Sequence, residues 1–116
     1  MKESKAFIYC RVSNRHLQNL LYYQEDVLTK LAHSLDMNVV AVAKEVSEGK
    51  NSYTRAMQTL IHYIRREKIN FVVVYDQTRI CIFDDLYAEF QMICDRHHVE
   101  IITIEDMREL SSIQLL

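Results

Sequence analysis

Apolar residues fall into two kinds of segment that alternate from the start of the chain to about residue 104. Four short segments are almost continuously apolar and rich in Val and Ile, at residues 5–12, 38–45, 70–76 and 99–104. Such runs are typical of parallel strands that are buried on both faces of a sheet. Between them, apolar residues recur at helical spacing in residues 17–36, 54–67 and 83–97. The pattern therefore predicts four strands and three helices in alternation.

This alternation predicts an α/β fold in which parallel strands are joined by right-handed crossovers. We expect an open, mostly parallel sheet of four to five strands with helices on both faces, in three layers. Residues 107–116 again carry Leu and Ile at helical spacing, which predicts the beginning of a further helix. A helix of so few residues is marginal unless it packs against another surface.

Composition and charge narrow the classes of protein. The chain has 116 residues, of which 49% are hydrophobic and 26% are charged, as in an ordinary globular domain. We expect neither a membrane span nor a secretory signal, and three cysteines then indicate reduced thiols in the cytoplasm. The formal net charge is −2, whereas proteins that hold DNA alone are usually basic. A role on DNA would therefore need local arginine clusters or another domain.

The candidate chemistry lies after the strands, because ligands of open α/β sheets bind beyond the carboxyl ends of the strands. Alternation along the first strand places Tyr9, Arg11 and Ser13 on one face. A hydroxyl two residues after an arginine suits a phosphate substrate, because a guanidinium can hold phosphoryl oxygens with two donors. The alternative is that Arg11 is solvated and that Ser13 only caps the next helix.

Two later loops each contribute a further arginine. The loop at 45–55 holds the only glycine, Gly49, and ends at Arg55, while Arg79 follows the third strand. Three arginines from three loops around one hydroxyl would form a phosphodiester site, although each arginine taken singly fits an ordinary surface charge better. Neither glycine-rich nucleotide motif occurs, and the His and Cys residues lack metal-ligand spacing, so we expect no cofactor and no metal.

The segment from Tyr9 to Ser13, Tyr-Cys-Arg-Val-Ser, resembles the Y-x-R-V-S opening of the serine recombinases, the resolvases and invertases. The resemblance covers about residues 5–110. It implies a resolvase-like catalytic domain at 1–106, the start of a truncated interface helix at 107–116, and no DNA-binding domain. The spaced glutamines Gln18 and Gln24, with Leu21 between them, belong to the same specific signal. Looser matches follow in the family's order, around Gly49 with Arg55, at Val72 to Arg79, and at Val99 to Thr103.

The resemblance also implies a mechanism for site-specific DNA recombination. In that family a serine attacks the DNA backbone and forms a transient phosphoserine link, without a metal, within a tetramer assembled from dimers. Carried over, Ser13 is the nucleophile, Arg11 is its partner on the phosphate, and Arg55 and Arg79 supply further positive charge. DNA and further copies of the chain are the implied partners. Supporting residues complete the implied site, namely Tyr9, Gln24 and Glu45.

Two departures from the family pattern concern the third loop. The family usually reads D-R-L-[SG]-R where this chain has Thr78 to Ile82, so that Thr78 replaces an Asp and Ile82 replaces the second arginine. Some members carry Thr-Arg at the first place, but one missing transition-state contact costs about two orders of magnitude in rate. Three interpretations therefore stay open: an active recombinase domain, a catalytically impaired binding or dimerisation module, or a generic α/β module for a small phosphorylated ligand.

Overall fold

The computed structural model describes residues 3–51 and 53–106, in which strands and helices alternate. The four predicted strands and the three predicted helices between them are present, with bounds within two residues of those expected. Short 3-10 turns, Arg15–Leu17 and Gln77–Arg79, follow the first and third strands. The elements in chain order are β1 (Lys5–Val12), α1 (Asn19–Ser34), β2 (Asn38–Val46), α2 (Arg55–Arg65), β3 (Phe71–Val74), α3 (Asp84–Arg96) and β4 (Glu100–Thr103).

Within the described residues, the four strands form one parallel sheet in the order β2-β1-β3-β4. β1 lies inside the sheet, and every one of its residues from Ala6 to Val12 is buried. This burial on both faces is the reason why β1 reads as an unbroken apolar run in the sequence. The α/β fold and the parallel sheet are thus as predicted.

Helices cover both faces of the sheet and give the expected three layers. On one face, α1 packs its Leu28 and Ala32 against Ile8 and Cys10 of β1. On the other face, α2 and α3 pack over Phe7 and Tyr9, because alternate residues of β1 point to opposite faces. None of the helices in the described ranges has the length and apolarity that a bilayer-crossing helix requires.

All three helices end in the same way although the chain has no glycine at these ends. Asp36, Glu67 and His98 each adopt a positive φ, between 53° and 59°. The N–H of the following residue bonds to the carbonyl five residues before it, as Met37 does with Ala32 at 2.9 Å. This is the closure in which glycine is usually found, because a Cβ is unfavourable at positive φ.

The carboxyl ends of the strands bring three connecting segments to one edge of the sheet. Residues 13–18 follow β1, residues 47–54 follow β2, and residues 75–83 follow β3. Two candidate residues of the sequence analysis, Ser13 and Arg79, lie in these segments, whereas Arg11 and Glu45 lie near the ends of β1 and β2 and Arg55 begins α2. The predicted beginning of an interface helix at 107–116 lies outside the described residues.

Candidate active site

Ser13 is the first residue after β1, and its side chain is exposed to solvent. The next residue, Asn14, caps the following turn, since its side chain accepts a hydrogen bond from the His16 N–H at 3.0 Å. The Asn14 amide also donates to Ser13 Oγ at 3.5 Å. Asn14 is therefore the capping residue, and the Ser13 hydroxyl stands at the carboxyl edge of the sheet without that role.

Arg11 is a buried cation, with only 3% of its surface exposed. Its guanidinium donates to three backbone carbonyls: Nη1 to Ser47 at 2.7 Å, Nε to Arg79 at 3.1 Å, and Nη2 to Thr78. We call this arrangement of the guanidinium and three carbonyls the Arg11 clamp. Burial and, next, the Arg79 cation lower the pKa of Arg11, but a guanidinium stays charged at neutral pH. The alternative that Arg11 is solvated is therefore wrong.

Gly49 lies directly against the Arg11 clamp. A Cβ at this position would stand 2.6 Å from Arg11 Cζ, and φ is +72°. The Gly49 carbonyl accepts a hydrogen bond from the Ile82 N–H at 3.0 Å, which joins the loop after β2 to the segment after β3. The only glycine of the chain is thus placed where both the backbone angle and the space exclude a side chain.

Gln24 of α1 completes the backbone hydrogen bonding of Arg11. Odd-numbered carbonyls of β1 face β3, as the bond from Asn70 N–H to the Lys5 carbonyl shows, but β3 pairs with β1 only as far as Ile8. Beyond that point, Gln24 Oε1 accepts from the Arg11 N–H at 3.2 Å and Nε2 donates to the Arg11 carbonyl at 3.1 Å. A buried side-chain amide therefore takes the place of the missing strand.

Arg79 lies beside the same backbone, with its side chain partly open to solvent. Its Nη1 donates to the Arg11 carbonyl at 3.2 Å, and its guanidinium carbon lies 5.9 Å from the Tyr75 ring. Arg79 Nε lies 3.6 Å from Asp76 Oδ2, which is an ion pair rather than a hydrogen bond. Asp76 also caps the turn by accepting from the Thr78 N–H at 3.0 Å. The turn that carries Arg79 is therefore fixed from both sides.

Glu45 joins Tyr9 to the beginning of α2. The Tyr9 hydroxyl donates to Glu45 Oε2, and the Thr54 hydroxyl donates to the same oxygen at 3.1 Å. Thr54 is the N-cap of α2, since its hydroxyl accepts from the Met57 N–H at 3.3 Å. Burial raises the pKa of Glu45, while the hydrogen bond from Thr54 opposes that rise. This network fixes the point at which α2 begins.

Arg55 is the first residue of α2, directly after the Thr54 cap, and its side chain is exposed. The structure thus brings Arg11 and Arg79 into direct contact and sets Arg55 at the end of the Glu45 network. Among the described contacts, no hydrogen bond joins Ser13 to any of the three arginines. Ser13 and Arg55 are solvent-exposed, whereas Arg11 is internal.

Sequence reasoning missed that backbone carbonyls, those of Ser47, Thr78 and Arg79, hold the Arg11 guanidinium. Carbonyls leave no trace in the residue types, so no sequence pattern identified them. Gly49 was the one available signal, because a single glycine in a loop marks a positive φ or a close approach. Thr54 and Asp76, as caps, follow the ordinary preference of short polar residues for such positions.

Ile82 stands where the family pattern has a second arginine, and 42% of its surface is exposed. Its backbone N–H bonds to the Gly49 carbonyl, so this position adjoins the Arg11 clamp. An arginine here would reach solvent at the rim without a burial penalty. The departure therefore removes one cation from the edge and leaves the backbone arrangement in place.

The three cysteines are buried, and none of them forms a disulfide. Burial raises the pKa of Cys10 and of Cys94 to about 12. Thiols with such pKa values are not nucleophiles at neutral pH. Among residues 3–51 and 53–106, no three His, Cys, Asp or Glu side chains are grouped so that they could hold a metal ion.

Residues 6–114 match the family model "Resolvase, N terminal domain". The chain belongs to the resolvase family. The match covers nearly the whole chain, so the resemblance inferred from Tyr9 to Ser13 is confirmed. No curated protein matches the chain.

Solved structures show the same fold. The C-terminal catalytic domain of ISC1926 TnpA, an IS607-like serine recombinase, is 23% identical with a TM-score of 0.82, over 95% of this chain and 77% of that chain. The N-terminal catalytic domain of TP901-1 integrase is 23% identical with a TM-score of 0.77, over 96% and 94%. A resolvase family site-specific recombinase from Streptococcus pneumoniae is 18% identical with a TM-score of 0.76, over 97% and 88%.

Membership of the resolvase family supports a site-specific recombinase catalytic domain with DNA as its partner. It does not favour the impaired binding module, nor the generic module for a small phosphorylated ligand. The residues that carry the chemistry, and the number of copies that assemble, are a separate question.

Proposed function

We propose that Ser13 is the nucleophile of a DNA strand-transfer reaction. The Ser13 hydroxyl loses its proton and attacks a backbone phosphorus, so that an Oγ–P bond forms and a P–O bond to one deoxyribose breaks. The departing sugar oxygen takes up a proton. Rejoining is the same exchange in reverse, with a sugar hydroxyl attacking the phosphoserine. No metal or organic cofactor enters this balance.

Positive charge from Arg11, Arg55 and Arg79 stabilises the phosphorane-like transition state. Arg79 is partly exposed, so its guanidinium can contact the phosphate directly, and Arg55 can do so from the start of α2. Arg11 acts from beneath the surface. Three of its five N–H donors are used by carbonyls, and its charge reaches the site through a weakly screening interior.

Supporting roles follow from the contacts of the other predicted residues. Gln24 holds the backbone of Arg11, and Glu45 with Tyr9 holds the start of α2 that presents Arg55. Ser13 itself is exposed and comes two residues after the buried Arg11, whose guanidinium is bonded to the Arg79 turn. That juxtaposition is the observation that carries the proposal.

The test is a covalent adduct between protein and DNA. A double-stranded oligonucleotide library of random sequence, nicked so that the cleaved end diffuses away, should yield protein-linked DNA on denaturing gels. Ser13→Ala should lower the yield by at least about 10³-fold, as loss of a nucleophile does. Ser34→Ala, a change at another exposed serine, should leave the yield unchanged. A folded chain that gives no adduct, or an adduct that persists in Ser13→Ala, would refute the proposal.

One observation favours a second candidate, a domain that binds DNA or its relatives but reacts poorly. Ile82 leaves the rim without a second arginine. Restoring it with Ile82→Arg should raise the adduct rate by up to about 10²-fold if one transition-state contact is all that is missing. A variant that binds the oligonucleotide normally and still gives no adduct would support the impaired module.

We further propose that the intact protein assembles as a homodimer or tetramer in the cytoplasm, with 1–106 as its catalytic domain and 107–116 as the start of an interface helix. Exposed apolar side chains such as Leu20 and Tyr22 on α1 support the assembly. Three free cysteines support the cytoplasm as the compartment. Sedimentation of the chain, alone and with DNA, tests the assembly. A strictly monomeric species on DNA would contradict it.

A further inference from the structure

The backbone at Gly49 lies directly against a buried cation, the Arg11 guanidinium. Gly49, at φ +72°, leaves room for the Arg11 guanidinium. A Cβ there would stand 2.6 Å from Cζ, 2.9 Å from Nε and 2.9 Å from Nη2. A real Cβ cannot come so near to a group that is itself held in place. The guanidinium would have to move, and it cannot move while its three hydrogen bonds persist.

Those hydrogen bonds join segments that are far apart in the chain. The Arg11 clamp ties β1 to Ser47 after β2 and to Thr78 and Arg79 after β3. Arg79 returns a hydrogen bond to the Arg11 carbonyl at 3.2 Å. If the guanidinium is displaced, the turn that carries Arg79 therefore moves relative to the end of β1 and to Ser13, which follows β1.

We propose that Gly49 is a positioning residue for strand transfer: by leaving space for the Arg11 guanidinium, it sets the distance between Ser13 and the Arg79 turn. This inference rests on the proposed function of Ser13. Gly49 acts only through Arg11 and through its own carbonyl bond to the Ile82 N–H. It is not a catalytic residue, because it has no side chain to touch the phosphate.

A methyl group at position 49 should slow the chemistry more than it weakens DNA binding. Reacting groups that are misplaced by about 1 Å lose roughly 10²-fold in rate. Exposed phosphate-binding charges such as Arg55 are not displaced by the change. We therefore expect Gly49→Ala to lower the single-turnover rate of adduct formation by about 10- to 100-fold, with the oligonucleotide Kd changed by less than about threefold.

The control is a change at Glu48, an exposed residue of the same loop. Glu48→Ala should leave the rate within about threefold of the parent, since substitutions away from special features have small effects. If Glu48→Ala slows the reaction as much as Gly49→Ala does, general disturbance of the loop explains the result and the proposal is overturned.

A double-variant comparison separates positioning from simple loop strain. Lysine at position 11 keeps the charge but has no Nη1 or Nη2, so its flexible end is not held by the three carbonyls as the guanidinium is and can turn away from a Cβ at 49. Adding Gly49→Ala to Arg11→Lys should therefore slow the reaction by less than about twofold. This holds as a test even if Gly49→Ala alone fails to fold. If Gly49→Ala slows the reaction as much in the Arg11→Lys background as in the parent chain, the proposal is overturned.

A spectroscopic measurement makes the inference independent of recombination. In ¹⁵N NMR spectra, the buried Arg11 Nε–H, bonded to the Arg79 carbonyl, should exchange slowly with water. Gly49→Ala should accelerate that exchange by at least about tenfold, as expected when a buried hydrogen bond opens, and Glu48→Ala should not. Unchanged exchange in Gly49→Ala would overturn the positioning role. If Gly49→Ala accelerates the exchange but the parent chain never forms an adduct, the proposed function is refuted, while the inference that Gly49 leaves space for the Arg11 guanidinium stands.

Discussion

At the two edges of the sheet, the connecting segments are held by different kinds of hydrogen bond. At the amino edge, each helix closes on itself at Asp36, Glu67 or His98, with backbone bonds that span only a few residues. At the carboxyl edge, buried side chains make the hydrogen bonds. Arg11 donates to carbonyls up to 68 residues away, and Gln24 bonds to the backbone of β1.

The difference shows which edge of the sheet depends on specific residues. Local closures tolerate exposed polar residues and need no particular partner. A buried cation that holds three carbonyls needs every partner in place, because burial without hydrogen bonds is costly. Substitutions at the carboxyl edge should therefore destabilise the fold more than substitutions at the amino edge. The candidate nucleophile lies at the carboxyl edge.

The largest expected effect is the loss of the Arg11 clamp. Arg11→Ala leaves the carbonyls of Ser47, Thr78 and Arg79 without their donor, and we expect the free energy of unfolding to fall by about 3–5 kcal/mol. Urea titration measures this. Arg65→Ala, at an exposed arginine of α2, should cost less than about 0.5 kcal/mol. Equal losses in the two variants would mean that burial of Arg11 contributes nothing special.

The amide of Gln24 should rank next. Gln24→Leu keeps the side chain's approximate size but leaves the Arg11 N–H and carbonyl without a hydrogen-bond partner. We expect the free energy of unfolding to fall by about 2–3 kcal/mol. The same change at Gln91, which is exposed on α3, should be nearly neutral. A neutral Gln24→Leu would show that water or strand pairing satisfies the Arg11 backbone instead.

Glu45 should make stability depend on pH in the unusual direction for a carboxyl. Burial raises its pKa above the ordinary 4.5, so the folded chain holds this proton more tightly than the unfolded chain. Its contribution to stability is then present at low pH and is lost as pH rises through the folded pKa. Relative to Glu45→Gln, the parent should lose stability as pH rises from about 4.5 through the raised pKa of the folded chain. A parent that gains stability relative to Glu45→Gln over this range would contradict the account, with Glu48→Gln as the exposed control.

The amino edge should give the smallest change, and it should be a gain. His98 has φ +59° and is exposed, so His98→Gly relieves backbone strain and should add about 0.5–1 kcal/mol to the free energy of unfolding. His98→Ala keeps a Cβ and should give no gain. Thermal unfolding of the two variants decides, and equal stability would mean that the helix end carries no strain.

Periodicity was enough to predict the layers of this fold, because β1 is buried throughout and the helices repeat apolar residues every three or four positions. Alternation also placed Tyr9 and Arg11 together correctly. It could not place Ser13, since the strand ends at Val12 and the next side chain turns to solvent. Nor could it find the clamp, because the groups that hold Arg11 are backbone carbonyls whose positions depend on how distant loops pack.

The most direct test of the central claim is to identify the residue that carries DNA after the reaction. Peptide mapping by mass spectrometry of the purified adduct should find a nucleotide remnant on the Ser13 hydroxyl. The account predicts that no other serine, threonine or tyrosine carries it. A remnant on any residue other than Ser13, in a chain whose Arg11 clamp is intact by NMR, would contradict it.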